Sequence, residues 1–265
     1  HPASVAFVKA GESIGLPANR DFNGPSQDGI GFLQVNIRRG VRSSASAAFL
    51  RPAANRPNLR VETNVRVERI VLEGRRARGV TFKSGDSSVT ASAREVILCA
   101  GAINSPQLLA LSGIGHGDEL KSFGISPVHH LPGVGRNLQD HVYAHYLARV
   151  TPDFSINDLI VKSDRLASSW KLLPHVLQYI VRRKGLLSSA AAQAGAFVRS
   201  GPRVNTPDLQ IQFRPFSMII TKDGRFTAEP DPAVTASCAT LRPLSRGAIA
   251  LKTANPFDAP AIRFN

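Results

Sequence analysis

The sequence predicts an α/β (α+β) protein, and three patterns carry that reading. Leu59, Val61, Thr63, Val65 and Val67 alternate with polar residues, and two glycine turns follow at Glu73-Gly74-Arg75 and Ser84-Gly85-Asp86. A period of two broken by such turns is a β-meander. Next comes Glu95-Val96-Ile97-Leu98-Cys99-Ala100, apolar after its first residue, running into Gly101-Ala102-Ile103-Asn104-Ser105-Pro106. This is a strand, a glycine turn and a short helix, with the strand apolar enough to lie covered on both faces of a parallel sheet. Further strands are expected where Leu209, Ile211 and Phe213 alternate with Gln210 and Gln212, and at Gly247 to Lys252.

Each element has a local cause. Residues 1 to 56 open on an amphipathic helical pattern, then turn to Gly- and Asn-rich loops, as a covering segment would. Within 57 to 145 the first strand covers residues 59 to 68, the second starts at Arg78, and the third spans Ser88 to Ala91. For the helix, Ser105 is a good N-cap and Pro106 suits the first helical position, where a missing N–H costs nothing. Gly113 closes it in the left-handed conformation. From 146 to 265, Leu166, Trp170, Leu173, Leu177 and Ile180 recur at helical spacing, with a break or kink at Pro174 and an end at Lys184-Gly185. The last residues, Ala261 to Asn265, read as a strand cut short, and His1 opens inside a pattern, so the chain reads as an internal piece of a longer protein.

Composition narrows the function classes. The chain has 265 residues, 43% of them hydrophobic, enough for a substantial core, and no apolar run reaches the length of a spanning helix. A formal charge of +14 invites a polyanion partner, but the basic residues are scattered and aromatic content is 6%, so no nucleic-acid partner is expected. Cys99 and Cys238 lie far apart in apolar runs and read as reduced, buried and inert. His141 and His145 are spaced to share a helix face, with His129 and His130 nearby, but no Cys or carboxylate cluster completes a metal set, so none is expected. Asp140-His141 lacks a Gly-x-Ser-x-Gly partner motif, which argues against hydrolysis.

The strand, turn and helix alone are a weak nucleotide signal. The full string Gly101-Ala102-Ile103-Asn104-Ser105-Pro106-Gln107-Leu108-Leu109-Ala110-Leu111-Ser112-Gly113-Ile114-Gly115 is far more specific. It resembles the second signature of the glucose-methanol-choline oxidoreductases. Asp21-Phe22-Asn23-Gly24, Gly40-Val41-Arg42-Ser43-Ser44-Ala45, Arg56-Pro57-Asn58-Leu59 and Leu131-Pro132-Gly133-Val134-Gly135-Arg136-Asn137-Leu138-Gln139-Asp140-His141 stand in family order, in the manner of its choline-dehydrogenase and aryl-alcohol-oxidase branch.

The resemblance implies part of a Rossmann-like FAD-binding domain with a β-meander, at 57 to 145, interleaved with an antiparallel-sheet substrate domain portion at 146 to 265. It implies FAD as cofactor, held here by Val67, Ala100, Gly101 and Asn137, and substrate-side positions at Gln210, Gln212 and Phe213. The implied reaction is oxidation of a primary alcohol, a small-molecule substrate, with oxygen or a quinone re-oxidising the flavin. The family's first Gly-x-Gly-x-x-Gly turn and its general-base histidine segment have no match here, so no catalytic residue is assigned and the chain by itself is expected to be inactive. A cytoplasmic location is expected, with peripheral association at the inner membrane left open. The competing reading is an inactive remnant or a basic binding module.

Overall fold

The computed structural model describes residues 1–163 and 172–265. In chain order its main elements are α1 (Pro2–Ser13), β1 (Gly29–Phe32), β2 (Val65–Glu73), β3 (Arg76–Ser84), β4 (Ser87–Ser92), α2 (Gly101–Leu111) and α3 (Gly117–Ser122). There follow β5 (Arg136–Leu138), β6 (Tyr143–Arg149), α4 (Asn157–Ser163), α5 (Leu173–Arg182), β7 (Ala194–Val198), β8 (Leu209–Arg214), β9 (Ala233–Thr240), β10 (Gly247–Ala250) and β11 (Ala261–Arg263). The chain divides into two compact units, residues 1–56 with 141–242, and residues 57–140 with 243–265. The first segment thus groups with the third, and residues 243–265 group with the middle one.

The first unit is an antiparallel five-stranded sheet in the order β1-β7-β8-β9-β6. Helix α1 covers one face of it. Pro2 stands in its first turn and His1 caps it, Nδ1 accepting from the Ala3 amide at 3.3 Å. Ala3, Phe7 and Val8 pack on Ala194, Phe213 and Val234, with the Phe7 and Phe213 rings stacked at 4.6 Å. A buried polar knot sits elsewhere in this unit: the Asn157 carboxamide accepts from the Ser217 amide at 2.9 Å and donates to the Glu229 carbonyl at 2.9 Å, with no exposure.

The second unit holds the meander β2-β3-β4 and a separate ladder in the order β11-β10-β5. The meander's turns fall at Gly74 and Gly85, as expected, but its first strand covers 65–73 rather than 59–68. The Gly74 turn sets the register, pairing Glu73 with Arg76 and Val65 with Ser84. Residues 59–64 therefore run past the end of their partner, and Asn64 breaks the extended backbone at φ 58°.

Three further expectations need correction. Residues 95–100 pair with no strand among the described residues, and Ile97 is 79% exposed. Their apolar run marks a surface suited to cover, but strand structure is a property of two partners and cannot be read from one. Cys99 is accordingly exposed rather than buried, and Cys238 is half-buried. Helix α2 begins at Gly101, so Pro106 lies inside it and Ser105 is not its cap. A proline this early removes only the bond to the Ala102 carbonyl, and the helix tolerates that loss. Gly113 is left-handed, at φ 83°, as expected.

Pro174 lies in the first turn of α5, and the left-handed Arg183 ends that helix; Leu166 and Trp170 lie outside the described residues. Among the described residues no helix is long and apolar enough to cross a membrane.

Candidate functional site

In the second unit, a recess of about 180 Å³ is lined by Arg66, Val67, Ala100, Asn104, Gln107, Leu108, Leu111 and Pro256. It joins two of the residues singled out from the sequence, Val67 and Ala100, along one flank of α2. Val67 faces Phe82 of β3, and the ladder is irregular between Val67 and Arg69, a bulge that locally disturbs main-chain pairing. Arg66 is pinned beside it, donating from Nε and Nη2 to the Pro256 carbonyl at 3.2 and 3.0 Å. Gln107, 5% exposed, donates to the Asp258 carbonyl at 2.7 Å and ties α2 to the chain beyond β10.

Asn137 is not in that recess. It lies on the opposite flank of α2, in a second recess of about 430 Å³ with Ala102, Ser105, Leu109, Gly135 and Gln139. Its backbone is left-handed at φ 64°, a conformation that asparagine adopts more readily than most residues. Gly135 beside it has φ 74°, and a Cβ there would stand 2.1 Å from the Ile249 carbonyl oxygen, so the loop closes on β10 only with glycine. Gly101 stands at the helix start and lines neither recess. Open space surrounds its missing Cβ, so φ 80° is what requires glycine there.

One residue of the signature has a role that pattern reading did not supply. Ser112 is 8% exposed; its hydroxyl accepts from the Ile70 amide at 2.8 Å and donates to the Leu108 carbonyl at 2.6 Å. It fastens the end of α2 to β2, and so holds the Val67 strand against the helix that bears Gly101. A buried serine after a helical run was the available signal.

In the first unit, strand alternation separates the three substrate-side candidates. Phe213 is 6% exposed and belongs to the face under α1. Gln210 and Gln212 point to the other face, where the register sets Gln212 opposite Ser237 and Ser237 opposite His145. Gln212 Nε2 donates to the Tyr143 hydroxyl at 3.4 Å, and His145 Nδ1 lies 2.8 Å from the Ser237 hydroxyl. The Tyr143 and His145 rings stack at 6.1 Å. A row of hydrogen-bonding groups results, with Ser237 fully buried as its floor and Tyr143 38% exposed at its edge.

His145 thus lies in a strand rather than on a helix face shared with His141; positions four apart share a face in either structure. His129 stands 3.3 Å from Arg75 Nη2, and His130 accepts from the Gly117 amide at 3.1 Å. Asp208, just before β8, is held below the usual carboxylate range, chiefly by the hydrogen bond from the Ser200 hydroxyl and also by the Ser200 amide.

Comparison with known proteins identifies the family. The family model described as GMC oxidoreductase matches residues 1–143. Mitochondrial choline dehydrogenase of Homo sapiens is 40% identical over 269 residues, covering 100% of this chain and 43% of that protein. Alcohol dehydrogenase [acceptor] of Pseudomonas putida is 39% identical, covering 99% of this chain and 46% of its own. The chain thus spans less than half the length of these relatives. Among solved structures, pyridoxine 4-oxidase from Mesorbium loti superimposes with a TM-score of 0.76 at 27% identity, over 99% of this chain and 46% of that one. A formate oxidase of Aspergillus oryzae RIB40 with a studied FAD modification gives 0.79 at 26% identity, over 96% and 47%. The family's cofactor is FAD. The matched half of the sequence and the mixed α/β architecture together show that this chain belongs to the GMC oxidoreductase family.

Proposed function

We propose that this chain is part of an enzyme that oxidises a primary alcohol to the aldehyde with bound FAD. The observation that carries the reading is the recess that gathers Val67 and Ala100 beside the glycine start of α2. Its volume of about 180 Å³ is smaller than a whole ligand site, which commonly runs to roughly 300–1,000 Å³, so it suits one end of an extended cofactor. Val67, Ala100 and Gly101 would meet the cofactor through main-chain groups, and Asn137 would meet a second part of it from the other flank of α2. When bound, FAD supplies the hydride acceptor. On the first unit, Gln210 and Gln212 would face the alcohol, with Phe213 bracing β8 from behind.

The test is the full-length protein carrying this chain, reconstituted with FAD and given primary alcohols without oxygen. Bleaching of the flavin absorbance is the expected result; a bound flavin that no alcohol bleaches would refute the reading. Replacing Gly101 by valine, which disfavours φ 80°, should lower FAD content at least several-fold without abolishing folding. Turnover under oxygen against turnover with a quinone would assign the acceptor, and fractionation of the source cells would decide between a cytoplasmic location and peripheral attachment to the inner membrane. The formal charge of +14 favours one other reading, an inactive remnant or basic binding module. Salt-sensitive, stoichiometric retention on a polyanion, together with absence of flavin, would support that instead.

A further inference from the structure

Resting on that reading, we infer that the alcohol taken is uncharged, and that Gln212, flanked by Tyr143 and His145, is the specificity-determining residue that excludes quaternary-ammonium alcohols. The register places Gln210, Gln212 and Arg214 of β8, Thr235, Ser237 and Ala239 of β9, and Tyr143, His145 and Leu147 of β6 on one face. No strand position of this face, from β1 to β6, carries Asp or Glu. A cation desolvated against these strands meets no compensating charge from them, a cost that discriminates between isosteres.

The carboxylates near the strand ends are each held by a named partner, two of them by arginines. Asp208 accepts from Ser200, Asp231 pairs with Arg149, Asp28 pairs with Arg199, and the Glu229 carboxylate accepts from the Ser217 hydroxyl. Arg214 stands two positions along β8 from Gln212, roughly 7 Å by strand geometry, and adds a positive charge to the same face. Among the described residues of this face, Phe197 stands opposite Gln210 and packs on Phe22. Beside Gln212 itself Tyr143 supplies the ring, stacked on the His145 imidazole, whereas recognition of a quaternary ammonium uses several rings around the cation. Tyr146 points to the opposite face by strand alternation. What the surface offers is an amide, a phenol, an imidazole and a hydroxyl, groups that solvate a neutral alcohol.

The deciding experiment compares choline with its neutral isostere, in which carbon replaces the quaternary nitrogen, using the full-length protein loaded with FAD. The expected result is a kcat/KM for the neutral alcohol at least about tenfold above that for choline. Gln212→Glu should narrow the ratio by about tenfold, because a carboxylate then faces the cation; a purely structural role would change both alcohols alike. Equal or better use of choline by the unaltered protein would overturn the inference and leave alcohol oxidation standing. A ratio that stays the same in Q212E would remove Gln212 as its cause. Should Q212E lose its flavin, Gln210→Glu on the same face gives the same readout. A bound flavin that neither alcohol bleaches would sink the parent reading and this one with it.

Discussion

Ser112, Asn157 and Asp208 show how single side chains hold the two candidate surfaces. Replacing Ser112 by alanine strands the buried Ile70 amide, at a cost of about 1–3 kcal/mol, and should loosen the Val67 strand from α2. A lower denaturant midpoint together with weaker FAD retention would be the signature; a stability loss with unchanged flavin content would separate the two roles. Asn157→Ala leaves the Ser217 amide without its acceptor in a fully buried place and should cost more than about 2 kcal/mol in urea unfolding. Asp208 has a pKa depressed in the folded state, so its contribution is present above its ordinary value near 3.8 and is lost as pH falls through the folded value. The unaltered protein should therefore lose more stability on acidification in that window than Asp208→Asn does. Parallel pH-melting curves for the two proteins would count against this.

At the scale of elements, α1 and the Gly135 loop matter most. Phe7→Ala removes the half-buried ring stacked on Phe213 and should cost about 2 kcal/mol, below the range for a fully buried aromatic, releasing α1 from the covered face of the sheet. Protection of the β8 amides against hydrogen exchange would fall while the meander stays protected; unchanged β8 protection would show that the helix is not what stiffens the strand. Some elements were legible beforehand. The meander's turns at Gly74 and Gly85 and the end of α2 at Gly113 follow from glycine chemistry that acts within a few residues. The start of β2, the state of residues 95–100 and the start of α2 were not legible. Each depends on a partner: where β3 ends, which strand lies alongside, and how much helix can absorb one proline. The helix expected around Leu166 and Trp170 stays an expectation, since those positions lie outside the described residues.

For the whole molecule, the division into units joins segments far apart in the chain, 1–56 with 141–242 and 57–140 with 243–265. Such interleaving makes each unit depend on long-range closure, which is slow relative to local structure. The chain covers 43% of the human relative's length, and no catalytic base has been assigned within it. By itself it is expected to oxidise no alcohol; steady turnover by the isolated 265-residue chain would contradict that and require a base among the residues here.

Composition, glycine placement and the long signature at 101–115 were enough, from the sequence by itself, to determine the family and the mixed α/β class, because these are local or cumulative properties. The alternation of Gln210 and Gln212 with Phe213 was also visible, although all three were read as substrate-side and the structure puts Phe213 on the face under α1. Only the tertiary structure decided that Val67 and Ala100 share a recess, that Asn137 lies across α2 from them, and that Tyr143, His145 and Ser237 join Gln212. Strand register, set by backbone pairing between segments far apart in the chain, 96 positions for Tyr143 and Ala239 and 168 for Gly29 and Phe197, is what brings such residues together, and no pattern within one segment encodes it.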